Sequence, residues 1–134
     1  MHEKTLVIIK PDGMQRQLVG RIIQRFEGAN LTLEAAKMEQ LSDELLYEHY
    51  QHLVNRPFFP TVLSYMKEVP VLLLIVEGPD AIARVRHLVG ATNPLEAAAG
   101  TIRGDFGTSQ TRNVVHASDS MEAAQTELAR FFKE

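Results

Sequence analysis

Hydrophobic positions along the chain recur at two periods. Val19, Ile22, Ile23 and Phe26 follow the i, i+3, i+4, i+7 spacing of one helix face, which predicts a helix ending near Gly28. The same spacing returns in Phe59, Val62, Leu63 and Met66 up to Pro70, and in Ile82, Val85 and Val89 after a Gly78-Pro79-Asp80 turn. A last helix carries Met121, Ala124, Leu128 and Phe131 on its inner face. Short apolar or β-branched runs read as strands. "TLVIIK" (Thr5–Lys10) is closed by a turn at Pro11-Asp12-Gly13, and "LTLEAAKM" (Leu31–Met38) sets Leu31, Leu33 and Ala35 on one side. "VLLLIVE" (Val71–Glu77) is apolar on both faces, the mark of a strand covered on both sides, and "NVVHA" (Asn113–Ala117) completes the set. Ser42 before Asp43-Glu44 is an N-cap with acids in the first turn, opening a helix through about Leu53. Gly90 to Arg112 has little periodicity and reads as one long connection, of the length that is usually functional or mobile.

The order is β-α-β, two helices, β-α, loop, β-α. Without the inserted helices it matches the ferredoxin-like βαββαβ plan, an α/β sandwich on an antiparallel sheet with additional helices. With 134 residues and no repeat, linker or low-complexity tract, residues 1–134 are expected to form one domain. The absence of cysteine excludes disulfides and thiolate catalysis. No apolar run suits a signal peptide or a membrane span, so a cytoplasmic protein is expected. The net charge of −3 argues against a broad nucleic-acid surface but leaves room for a small basic pocket.

Some patterns lead nowhere. Asp105-Phe106-Gly107 spells a kinase triplet without the loops that should accompany it, and no P-loop motif is present. His49 and His52 share a predicted helix but have no third ligand at zinc spacing, so they read as a solvated polar face. His116 is different. A neutral imidazole at a strand end, followed by the helix-capping run Ser118-Asp119-Ser120, sits where open N–H groups favour an anion. That points to attack on a phosphoryl group, with Glu127 as a candidate to hold the second ring nitrogen and Lys10, Arg86 and Arg103 as candidate cations.

"NVVHASDS" closely resembles the signature of nucleoside diphosphate kinases, N-x-x-H-[GA]-S-D-[SA]. "IIKPDGMQRQLVG" (Ile8–Gly20), "RPFFP" (Arg56–Pro60), "GATNPLEAAAGTIRGDFG" (Gly90–Gly107) and the final helix resemble the same family in the same order. The resemblance implies a ping-pong enzyme in which His116 takes the γ-phosphate of a nucleoside triphosphate and passes it to a nucleoside diphosphate. It implies that Lys10 and Asn113 hold sugar hydroxyls, with Lys10 also near phosphate, and that Arg86, Thr92 and Arg103 grip phosphates. Phe58 would stack on the base, giving broad base specificity. Tyr50 would flank the histidine, and Ser118 would bond to Glu127, which orients the ring. Mg²⁺ would arrive bridging the substrate phosphates. The resemblance further implies a homo-oligomer, hexamer before tetramer, and the chain stops at Glu134 without the C-terminal tail of longer relatives. Ala117 and Ala99 stand where many relatives have Gly and Pro. The rival reading is a non-catalytic nucleotide-binding regulatory module of the same fold. A single-strand nucleic-acid binder would need aromatics on its strands, which "TLVIIK" and "VLLLIV" lack.

Overall fold

The computed structural model describes residues 1–132. In chain order the elements are β1 (His2–Ile9), α1 (Pro11–Gln15), α2 (Val19–Gly28), β2 (Thr32–Glu39), α3 (Asp43–His49) and α4 (Phe59–Met66). They continue with β3 (Val71–Pro79), α5 (Ala81–Val89), α6 (Ile102–Phe106), β4 (Val115–Ala117) and α7 (Met121–Phe131). The sheet order is β2-β3-β1-β4 and every pairing is antiparallel, which is the ferredoxin-like arrangement with helices added.

Alternation along the two central strands divides the core. Val7, Ile9, Leu74 and Val76 pack with Ile22 and Phe26 of α2 and with Val85 and Val89 of α5. Leu6, Ile8, Val71 and Leu73 point the other way, onto Leu46, Tyr65, Met66 and Phe131. Both faces are covered, which is why β3 reads as one continuous apolar run. Each fully buried Leu, Ile or Phe contributes about 1.5–3 kcal/mol relative to exposure.

Several local expectations are corrected. Pro11-Asp12-Gly13 is not a plain turn but the start of α1, where Pro suits the first helical position because its missing N–H has no intrahelical partner there. Ser42 does cap α3, its hydroxyl accepting from the Leu45 N–H at 3.2 Å, yet the helix stops at His49. Beyond it the N–H groups of Leu53 and Arg56 bond three residues back, to Tyr50 and Leu53, so the chain tightens into successive turns. Leu33 pairs with Val76 whereas Ala35 pairs with Ile75, so a bulge between them puts Leu33 and Ala35 on opposite faces. The long connection contains α6, capped by the Thr101 hydroxyl, which accepts from Gly104 N–H. The last strand has only three residues, because Val114 takes a left-handed φ of 64° just before it. Met121 opens α7 at the surface rather than in the core. Among the described residues no helix is long and apolar enough to cross a membrane. Lys133, Glu134 and the chain end lie outside the described residues.

Candidate active site

A cleft of about 630 Å³ opens where the end of β1, the end of α3, the start of α4, α5, the 90–113 segment, β4 and α7 meet. That is a volume suited to a small organic ligand. Lys10, Tyr50, Phe58, Arg86, Thr92, Arg103, Asn113, His116 and Glu127 all line it. Ser118 stands behind, fully buried.

His116 is brought in by β4, paired with Ile8 of β1. Its Nε2 lies 2.8 Å from Glu127 Oε1, and the Ser118 hydroxyl donates to the same oxygen at 2.7 Å. Burial alone would raise the Glu127 carboxyl, but the hydrogen bonds from His116 and Ser118 and the charge of His116 outweigh it and hold the group at about 2. An ionised carboxylate can only accept, so His116 Nε2 carries a proton and donates it to Glu127. With a single ring proton on Nε2, Nδ1 keeps its lone pair and is the ring nitrogen able to act as a nucleophile.

Three cations share the cleft. Lys10 Nζ donates to Asn113 Oδ1 at 2.9 Å, and burial together with the nearby Arg103 lowers its pKa to about 8. Arg103 is almost wholly buried and donates to the carbonyls of Gly90 (3.1 Å) and Val115 (2.8 Å). Burial and Arg86 lower it to about 10, and its buried Nε has no protein partner. Arg86 donates to the Ala117 carbonyl at 3.3 Å. Among the described residues no carboxylate comes within ion-pair distance of these three. Clustered, desolvated positive charge without a counter-ion is costly, and an anion of several negative oxygens relieves it. Asn113 is fixed from both ends, since its amide also donates to the Thr92 carbonyl at 3.1 Å. Phe58, half exposed at the mouth, offers a ring face.

The helix start after His116 does not act as expected. Ser120 spends its hydroxyl capping α7 at Ala123 N–H, and the first turn of that helix contributes no lining residue; α7 enters the cleft through Glu127. The positive field comes from side chains instead.

The sequence reading also missed residues. His49 is buried, not solvated, and its ring meets His116 edge-on at 4.8 Å. Its spacing of three from buried Leu46 was the available signal for an inward face. Arg130, three residues beyond Glu127 on α7, lies 3.0 Å from His49 Nδ1 through its Nη1. Because Arg has no acceptor, it donates, and His49 Nδ1 is the unprotonated nitrogen. Burial, reinforced by His116, lowers the His49 pKa to about 3 and keeps it neutral. Tyr50 packs edge-on against His49 at 4.7 Å, and burial holds its hydroxyl protonated, far above the usual phenol range. His49, His116 and Glu127 present ligand atoms within 4.8 Å of one another, a spacing open to a metal. Arg130 donates to His49 Nδ1, and His116 Nε2 and Glu127 Oε1 bond to each other, so a metal would have to displace these bonds or use the other ring nitrogens and carboxylate oxygen.

The family model described as "Nucleoside diphosphate kinase" matches residues 3–134. A nucleoside diphosphate kinase of Methanothermobacter thermautotrophicus is 48% identical over 98% of this chain and 88% of its own length. One from Mycobacterium marinum is 50% identical over 98% of both. Among solved structures, the apo nucleoside diphosphate kinase of Encephalitozoon cuniculi superposes with a TM-score of 0.95 at 42% identity, over 98% of this chain and 90% of that one. A halophilic nucleoside diphosphate kinase from Halobacterium salinarum, solved with CDP, gives a TM-score of 0.95 at 40% identity over 100% and 90% of the two chains. With motif order, fold and cleft in agreement along almost the whole sequence, the chain belongs to the nucleoside diphosphate kinase family.

Proposed function

We propose that this protein is a nucleoside diphosphate kinase that moves the γ-phosphate of a nucleoside triphosphate onto a nucleoside diphosphate through a phosphohistidine at His116. In the first half-reaction the Nδ1 lone pair attacks the γ-phosphorus. An N–P bond forms, the bond from phosphorus to the bridging β–γ oxygen breaks, and the electron pair leaves on the nucleoside diphosphate. In the second, a terminal β-phosphate oxygen of the acceptor attacks the same phosphorus and the N–P bond returns its pair to Nδ1. No proton has to leave the ring, because Nε2–H stays on Glu127 throughout. The observation that carries the reading is an imidazole fixed by an ionised carboxylate in a cleft lined by three cations that ion-pair with no carboxylate among the described residues.

Arg86, Thr92 and Arg103 act on the phosphates, Lys10 and Asn113 on sugar hydroxyls with Lys10 also near phosphate, and Phe58 on the base. A ring face accepts any base, which supports broad specificity. Tyr50 and Ser118 keep the His116–Glu127 pair in place. The lining carboxylates are Asp119 and Glu127, and Glu127 is engaged by His116 and Ser118. Among the described residues one lining carboxylate remains, which suits a Mg²⁺ carried on the nucleotide phosphates rather than a protein cage, where the ion would supply charge neutralisation. The 1–134 chain acts as one domain, as a cytoplasmic homo-oligomer, with the hexamer favoured over the tetramer.

Incubation with γ-labelled ATP and Mg²⁺ tests the reading. Acid-labile label on protein that GDP discharges is expected. ATP binding without transferable label would replace it with the nucleotide-binding regulatory module.

A further inference from the structure

Asn113 and His116 are three residues apart, so in a regular strand their side chains would lie on opposite faces. Both nevertheless line the same cleft. The backbone between them explains how. Val114 has φ 64°, in the left-handed region where a β-branched residue is an outlier, and Val115 N–H bonds across it to the Asn113 carbonyl at 2.8 Å. This γ-turn reverses the parity of the strand and brings both functional side chains to one side.

A β-branched residue keeps such a conformation only where its surroundings over-determine it. Here they do. Asp12 Oδ2 accepts the Val114 N–H at 3.2 Å, and Lys10 N–H donates to the Val114 carbonyl at 2.8 Å. Asp12 is buried, and its Oδ1 accepts the Tyr65 hydroxyl. The Arg112 guanidinium lies over the Tyr65 ring at 4.7 Å from its centre. Helix α1 comes in so tightly that a Cβ on Gly13 would stand 3.2 Å from the Val114 carbonyl oxygen and 2.8 Å from Ile9 Cγ2. Neither Asp12 nor Tyr65 is needed for the chemistry described above.

We propose that Asp12 and Tyr65 are positioning residues: their hydrogen-bonded pair clamps the left-handed turn at Val114 and thereby aims Asn113 and His116 into one cleft. The inference rests on the phosphohistidine reading. Losing the clamp lets residue 114 relax towards extended backbone, which swings the imidazole and the Asn113 amide apart. Both the phosphorylation rate and nucleotide affinity suffer, the rate more.

The test is a rapid-mixing measurement of His116 phosphorylation by ATP, with nucleotide affinity, on four full-length variants beside the wild type. Asp12→Ala should slow phosphorylation by about 30-fold or more, since an ångström of misplacement costs on the order of a hundredfold. Asp12→Asn keeps an acceptor for Val114 N–H and a donor for the Tyr65 oxygen, and should stay within about threefold of wild type. Tyr65→Phe should slow the step several-fold. The deciding arm is Asp12→Ala with Val114→Gly: glycine adopts the left-handed turn without a clamp, so this double variant should be faster than Asp12→Ala alone. A merely structural Asp12 predicts the reverse, with the second substitution deepening the loss, and that result overturns the proposal. Asp12→Ala labelling at the wild-type rate does so too. If Asp12→Ala does not fold, Tyr65→Phe decides, and wild-type speed there counts against the clamp. Wild-type protein that takes no label at all strikes instead at the phosphohistidine reading and is distinguishable on sight.

Discussion

Two imidazoles meet edge to face in this cleft, their ring centres 4.8 Å apart, and their partners make them opposites. His116 faces a carboxylate, so its Nε2 donates and its Nδ1 is free to attack. His49 faces a guanidinium, so its Nδ1 is consumed as an acceptor and burial keeps the ring neutral. Both partners come from one helix, three residues apart. Chemistry here is assigned by what a ring nitrogen touches and not by residue type, since an acceptor-only neighbour exposes the far nitrogen and a donor-only neighbour blocks the near one.

The largest expected effect separates the two rings. His116→Ala should abolish phosphotransfer, whereas His49→Ala should still carry label on His116 while losing about 1–3 kcal/mol of stability from its packed ring, as seen by thermal melting. Next comes the carboxylate. Glu127→Gln keeps the shape but removes the charge that fixes the tautomer, and kcat should fall by roughly a hundredfold with KM little changed. The same carboxylate is linked to acid stability. Its folded pKa, about 2, lies below the ordinary 4.5, so its contribution is full above 4.5 and is lost as pH falls through about 2. In Glu127→Gln that segment of the acid-unfolding curve should flatten.

Lys10 gives a smaller signature, at alkaline pH. With a free-enzyme pKa of about 8, it is charged below that pH and neutral above, so nucleotide binding must take up a proton there. KM should rise above pH 8, and a Lys10→Arg variant should lose that inflection. Without nucleotide the folded state holds this proton less tightly than the unfolded chain, so the term makes stability increase with pH between about 8 and 10.5. The smallest effect should be Arg130→Leu. It removes the donor on His49 Nδ1 and a buried guanidinium, and should change kcat only a few-fold while raising the pKa of His49, measurable by NMR titration.

What the sequence made legible follows from the range of the interactions. Helix α2 is readable because its apolar stripe is local, and α3 and α7 because Ser42 and Ser120 cap within three residues. β3 is readable because both its faces are buried. The clamp was not readable: Asp12 meets Tyr65 and Val114 across 53 and 102 residues of chain, and no periodicity reports a left-handed valine. The "KPDG" run therefore passed for a turn, and "NVVHA" for a regular strand. His49 was misread for a related reason, since its role depends on Arg130, 81 residues away. Within the cleft, His116, Glu127, Lys10, Arg86 and Arg103 stand out by residue chemistry, Tyr50, Phe58, Thr92 and Asn113 only through the resemblance, and the residues that aim and restrain them only in the coordinates.

The most direct test of the central claim is to map the phosphoryl group on freshly labelled protein, by mass spectrometry for the residue and phosphorus–nitrogen NMR for the ring atom. The account predicts phosphate on Nδ1 of His116 and none on His49. Label on Nε2 of His116, or on His49, would contradict it.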